Sequence, residues 1–329
     1  MAAAGGPARF CGTRGGNAEK SQSKPAAGMR RSRREHAGRT VETVQNPRRT
    51  HALLQNPRRK NEKSYDQGQE NMDYLNSLNE KQREAAVYTE GPLLILAGAG
   101  SGKTSTMTRR IAYMIREQGI SPYRILAVTF TNKAAREMKE RVEALVGEGL
   151  NMWIMTFHSA CLRILRMNAD RIGYTRDFTI YDPVDQKAVI KSLIKAENAD
   201  DKVFTPNYVL GIISDAKERG TDSREFAERA DGYKEKIVAK LYRGYEATLK
   251  KNNAMDFDDL IWRTVSLFES DEEVLEYYRQ KFQYIMVDEY QDTNYMQYRF
   301  VRLLAEEHKN ICVVGDDDQS IYRFRGANI

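Results

Sequence analysis

The chain has 329 residues, 41% of them apolar, with 52 basic and 46 acidic side chains and a formal net charge of +6. That length allows about two domains with ample core, and no apolar run approaches the roughly 18 residues that a membrane-spanning helix needs. There is no N-terminal apolar stretch of signal-peptide length, and three scattered cysteines (Cys11, Cys161 and Cys312) make neither a disulfide framework nor a metal cluster. A reduced, cytoplasmic protein without a membrane partner is expected, with Cys161 and Cys312 as buried thiols.

Residues 1–71 hold 15 of the basic side chains against 6 acidic ones, so the positive balance sits there and the remainder is slightly acidic. Few aromatics and much Gly, Ala, Arg, Ser, Gln and Asn predict a disordered basic extension. Within it Gln45-Asn-Pro-Arg-Arg49 recurs as Gln55-Asn-Pro-Arg-Arg59. A basic arm for nucleic acid, an organellar transit peptide and an extension upstream of a start at Met72 all fit; the last is favoured. Any nucleic-acid argument therefore rests on motifs further along.

From Leu75 onward, strand and helix signals alternate. A helix is expected over 78–87 and a short buried strand over 93–96. The strand runs into Ala97, Gly98, Ala99, Gly100, Ser101, Gly102, Lys103 and Thr104. That is a phosphate-binding loop in relaxed form, with Ala97 where the strict pattern has glycine. Backbone N–H groups of such a turn cradle phosphate oxygens, and the following helix, expected over 103–118, adds its N-terminal dipole. Lys103 would neutralise the terminal phosphates and Thr104 would ligate Mg²⁺. A strand over 125–130 and a helix over 133–146 follow, then a strand over 153–157 and a helix from 161. Thr129-Phe130-Thr131-Asn132 and Thr156-Phe157-His158-Ser159 stand at the two strand ends. Each pairs an aromatic ring with small polar groups, which suits either a single-strand grip or a helix cap. His158 has no partner at metal spacing.

Residues 171–255 break the rhythm, being charged and helical in period, clearest over 182–195 and 233–251. They read as a helical insertion between sheet strands. A strand over 284–287 then ends in Asp288 and Glu289, placed to hold Mg²⁺ and to activate the attacking water, respectively. A last strand over 311–314 leads to Gln319, whose amide can sense the γ-phosphate. Tyr322, Phe324 and Arg325 follow; the rings suit either base stacking or core packing. The fold class expected is α/β: a parallel sheet with helices on both faces plus an all-helical inserted subdomain.

Taken in order, Gln82 within Leu78–Ala86, then 97–104, 129–135, 156–159, Asp256-Phe-Asp-Asp-Leu260, Asp288-Glu-Tyr-Gln-Asp292 and 315–327 resemble the motifs of superfamily 1A DNA helicases of the UvrD/PcrA/Rep type. The resemblance spans Leu75 to Ile329. It implies a RecA-like domain 1A over 72–170 and 256–329, interrupted by a subdomain 1B over 171–255. It further implies ATP and Mg²⁺ as cofactors, and single-stranded DNA and single/double-strand junctions as partners. The activity implied is ATP-dependent 3′–5′ unwinding or translocation in DNA repair or replication. By the same resemblance Gln82 reads the adenine edge, residues 97–104 hold phosphates and metal, and Asp288 and Glu289 are the metal-binding and catalytic acids. Gln319 couples nucleotide to DNA, and Phe130, Asn132, His158, Tyr322, Phe324 and Arg325 lie along the strand. Phe324 stands where relatives usually have Trp, offering less stacking area, and Ser105 where they often have Arg. The family continues with a second RecA-like domain that completes the ATP site, so this chain is expected to be an N-terminal portion that binds nucleotide weakly and does not unwind. A helicase subunit of a recombination nuclease and an inactive nucleotide- or DNA-binding module are the alternatives. Protein partners are not implied.

Overall fold

The computed structural model describes residues 70–98 and 100–316. The expectations for residues 1–69, Ala99, Gln319, Tyr322, Phe324 and Arg325 lie outside the described residues.

A 3-10 turn (Glu70–Leu75) precedes α1 (Glu80–Val87), β1 (Leu93–Leu96), α2 (Lys103–Arg116), β2 (Ile125–Thr129), α3 (Asn132–Val146), β3 (Trp153–Thr156) and α4 (Phe157–Met167). The excursion follows: β4 (Thr179–Ile180), α5 (Pro183–Ala196), α6 (Pro206–Glu218), α7 (Ser223–Arg229), α8 (Tyr233–Lys251) and β5 (Ala254–Met255). The chain then returns through α9 (Phe257–Ser270), α10 (Glu272–Lys281), β6 (Tyr284–Val287), α11 (Tyr295–Ala305) and β7 (Ile311–Gly315). Five strands form one all-parallel sheet in the order β1-β7-β6-β2-β3.

Side chains alternate across this sheet. Ile125, Ala127, Ile154, Met286, Cys312 and Val314 meet Met107, Ile111, Met138 and Val142 of α2 and α3 on one face. Leu126, Val128, Ile285 and Val287 meet α4, α9, α10 and α11 on the other. Helices on both faces are what an all-parallel sheet requires. At the β1 edge Leu94 and Leu96 remain 58% and 45% exposed on the α11 side. Both expected thiols are buried; burial pushes Cys161 up to about 12 and Cys312 up to about 11.

Two strand ends fall earlier than the apolar pattern indicates. Thr131 Oγ1 accepts the Ala134 N–H at 3.1 Å and caps α3, so β2 stops at Thr129. Thr156 Oγ1 accepts the Ser159 N–H at 3.2 Å and caps α4, so Phe157 opens a helix instead of closing a strand. A cap satisfies amide donors that an extended strand would leave to a neighbour.

The excursion has its own core, in which Ile190, Ile194, Ile213, Val238, Leu241 and Tyr242 pack α5, α6 and α8 together. Its entry and exit are laced by the two-residue parallel ladder β4–β5, where Thr179 faces Ala254 and Ile180 faces Met255. Below the ladder lies a buried ion cluster. Lys217 Nζ of α6 is 2.7 Å from Asp256 Oδ2 and 3.0 Å from Asp259 Oδ1, at 0%, 4% and 1% side-chain exposure. Tyr245 of α8 donates to Asp256 at 3.0 Å, and Arg263 Nε lies 3.3 Å from Asp259. Burial disfavours the Lys217 charge, but the two carboxylates outweigh it and hold the ammonium above its ordinary value. Asp256 meanwhile caps α9 by accepting the Asp259 N–H at 2.8 Å.

Removing one partner of such a cluster strands the other charges in low dielectric. Lys217→Met should lower unfolding stability by about 3–5 kcal/mol, measured by urea denaturation. Combining it with Asp256→Asn and Asp259→Asn should recover part of that loss. A Lys217→Met variant as stable as the parent chain would show that the cluster does not hold the fold.

Candidate nucleotide site and strand-end groove

In a parallel sheet every strand points the same way, so the loops after β1, β7, β6, β2 and β3 all open on one edge. The strand order divides that edge into two parts. β1, β7 and β6 carry the loop, Asp316 and the acid pair, while β2 and β3 carry Phe130, Asn132 and His158.

The loop leaves β1 where the Ala97 N–H donates to the Gly315 carbonyl at 3.1 Å. Gly102 precedes α2 at φ +84°, and a Cβ there would sit 2.8 Å from Gln82 Nε2. Glycine meets both demands at this position. Gln82 binds the loop itself: its Nε2 donates to the Ser101 carbonyl at 2.7 Å, while its Oε1 accepts the Asn79 N–H at 2.9 Å in the α1 capping box. Gly98, Gly100 and Thr104 fall in the turn and first helical residues, as the loop pattern expects. Ser105 Oγ accepts from Arg109 at 2.5 Å, and Arg109 Nε donates to the Tyr74 carbonyl at 2.7 Å. Buried Arg110 donates to the carbonyls of Ala85, Tyr88 and Thr89, fixing the end of α1 against α2.

Lys103 Nζ is 3.1 Å from Asp316 Oδ2 and 3.0 Å from the Ala97 carbonyl, with side-chain exposures of 10% and 4% for the ion pair. Asp288 follows β6, its N–H donating to the Val128 carbonyl at 3.0 Å. It is 3% exposed. Burial, then the adjacent Glu289 charge, pushes its carboxyl up to about 6, while the Glu289 N–H and Lys103 pull the other way. Glu289 stands at φ +50°, a left-handed conformation that costs a non-glycine residue about 1–2 kcal/mol. A buried carboxylate made uneasy by a second one is the setting a divalent cation relieves. The hard oxygens of Asp288 and Thr104 match Mg²⁺. Among the described residues no group of three or more His, Cys, Asp or Glu could hold a metal by itself.

On the other half of the edge a cavity of about 200 Å³ is lined by Phe130, Asn132, Thr156, His158, Ser159 and Phe257 among others. A second, of about 310 Å³, shares Phe130, His158 and Phe257 and adds Asp258, Asp292 and Asn294. Capping by Thr131 leaves Asn132 outside the cap, in the groove wall. His158 packs edge-on against Phe257 at 6.0 Å between ring centroids, and burial holds its imidazole below the ordinary value. Phe257 is 50% exposed, whereas Asp256 and Asp259 on either side turn inward to Lys217. Sequence reasoning took Asp256–Leu260 only as the return to the core; an apolar ring between inward-facing acids was the available signal. Among the described lining residues Lys217 is the one Lys or Arg, and it is engaged by its two acids.

The sheet and loop define a RecA-like phosphate-loop domain, the α/β class expected. A family model described as "UvrD/REP helicase N-terminal domain" matches residues 78–329, and the chain belongs to that family. It is 58% identical over 256 residues to a protein named ATP-dependent DNA helicase PcrA from Staphylococcus aureus, covering 78% of this chain and 35% of that one. It is 57% identical over 256 residues to the protein of that name from Staphylococcus epidermidis, with the same coverage. The chain thus spans about a third of the length of these relatives.

The raised Asp288 pKa has a sign in stability. Between the unfolded value near 4 and the folded value of about 6, the folded chain binds more protons than the unfolded one. Asp288 therefore costs little at pH 4, its cost grows as pH rises from about 4 to about 6, and it levels off above that. Asp288→Asn should raise unfolding stability at pH 7.5 by about 2–3 kcal/mol and change it little at pH 4. Guanidinium titrations at the two pH values check this; an equal effect at both would refute the raised pKa.

Proposed function

We infer that this chain is the nucleotide-binding part of an ATP-dependent DNA helicase, a motor that translocates 3′–5′ on single-stranded DNA and opens strands at single/double-strand junctions in repair or replication. The observation that carries this reading is the shared edge. One half offers a phosphate loop, a lysine and two acids; the adjoining half offers a ring-lined groove. Membership of the UvrD/REP helicase family and the names of the PcrA relatives support it. Among the described residues no helix is long and apolar enough to cross a membrane, and a cytoplasmic location fits that reading.

Bound Mg²⁺–ATP supplies the reactive phosphoryl group and the charge neutralisation around it. The rest is the work of this chain. Backbone N–H groups of residues 97–104 hold phosphate oxygens, and Lys103 turns from Asp316 to the terminal phosphates. Thr104 and Asp288 hold the metal. Glu289 orients the attacking water and takes its proton, Gln82 contacts the base while bracing the loop, and Gln319 reports the γ-phosphate. Phe130, Asn132, His158, Tyr322, Phe324 and Arg325 hold the single strand, and Phe257 joins them. The organisation proposed is a RecA-like part over 72–170 and 256–329 with a helical part 1B over 171–255.

Lys103→Ala should lower ATP turnover more than about 100-fold, read as phosphate release in the presence of oligo(dT); unchanged release would refute the role of Lys103. Phe130→Ala and Phe257→Ala should each raise the oligo(dT) Kd by about 5–100-fold, the equivalent of about 1–3 kcal/mol per stacked base. Fluorescent ATP-analogue binding should stay unchanged in both. Fluorescence anisotropy measures the first effect, and an unaltered Kd in both variants would remove DNA from the groove.

A further inference from the structure

Gln291 lies in the 3-10 turn Tyr290–Asp292 just past the acid pair, and is 3% exposed. Its side-chain amide spans two features of the nucleotide site. Nε2 donates to Glu289 Oε2 at 2.7 Å, and Oε1 accepts the Asp316 N–H at 3.0 Å. Asp316 in turn is the ion partner of Lys103 at 3.1 Å. A continuous line of short polar contacts therefore runs Glu289–Gln291–Asp316–Lys103, crossing from the end of β6 to the end of β7 and on to the loop. Space for the amide is provided by Gly315, where a Cβ would sit 3.0 Å from Gln291 Oε1. The Glu289 backbone is held at φ +50° by the turn that follows, with the Asp292 N–H donating to the Glu289 carbonyl at 2.9 Å.

We propose that Gln291 is a positioning residue for phosphoryl transfer: it fixes the carboxylate of Glu289 and ties that carboxylate to the end of β7 beside the phosphate-loop lysine. A Glu side chain has three rotatable bonds and, on a one-turn loop, would sample several rotamers. The 2.7 Å amide contact selects one of them. Gln is the side chain this needs. A primary amide donates to a carboxylate through one atom and accepts from a backbone N–H through another, and both demands are met here at once. The proposal rests on the ATP-hydrolysing role given to Glu289 above.

The test compares the chain with Gln291→Met and Gln291→Glu. Met keeps the length and loses both contacts; Glu keeps the acceptor for Asp316 and replaces the donor to Glu289 with a like charge. Fluorescent ATP-analogue affinity and single-turnover phosphate release with oligo(dT) are measured for each, with circular dichroism to check folding. Misplacing a reacting group by about 1 Å costs roughly 100-fold. Both variants should release phosphate about 10–100-fold more slowly while nucleotide affinity changes less than about twofold. Release at the parent rate in Gln291→Met, affinity falling in step with rate, or recovery in Gln291→Glu would overturn the proposal, the last by showing that the Asp316 tie alone matters. A parent chain that binds no nucleotide overturns the helicase reading itself. Phosphate release at the parent rate in Glu289→Gln overturns the role of Glu289, and the inference with it.

Discussion

The constraint on which everything else depends is that five strands run the same way. Because the ladder is parallel throughout, each β–α turn delivers its residues to one edge, and a residue's role follows from which strand it leaves. β7, last of the five in sequence, lies between β1 and β6 and brings Asp316 beside both the loop lysine and the acid turn. Long crossovers are therefore required, and they supply the helices that bury both faces. Phosphate chemistry and the ring-lined groove are neighbours because β6 and β2 are neighbours.

That geometry explains what could be read from the chain and what could not. The loop from Ala97 to Thr104 and the pair Asp288-Glu289 were legible because each follows directly on a short apolar strand, a purely local pattern. The sheet with helices on both faces was legible for the same reason. Gln291 was not, because its meaning is a contact with Asp316, 25 residues away on a strand whose order in the sheet no local pattern reveals. Phe257 was passed over: it is exposed while the acids beside it turn away, toward a lysine 39 residues before Asp256. The strand ends at Phe130 and Phe157 were drawn one residue too far: apolar character continues there, but a threonine cap ends the strand.

Gln82 illustrates how one side chain can carry several duties. The reading from resemblance gave it the base edge. The structure shows its amide closing a capping box and holding the Ser101 carbonyl. The first fixes the start of α1 and the second holds the loop, so the residue's structural value stands whether or not a base is present. The same economy appears at Arg110, buried among three carbonyls at the end of α1, so that α1 and α2 are locked as one piece under the loop.

The excursion between β4 and β5 enters and leaves at adjacent points, which gives it the look of a detachable module. Its root denies that. Lys217 belongs to the excursion, whereas Asp256 and Asp259 belong to the return helix, and the lysine reaches both acids in a place water does not. A shortened descendant that discarded α6 would leave Asp259 to Arg263 and Asp256 to the Tyr245 hydroxyl, without the ammonium between the two acids. Divergence in this lineage is thus free to lengthen, trim or reshape the far helices, but must either keep the lysine or change both acids together. The insertion's outer reach is open to evolution; its point of attachment is locked by charge.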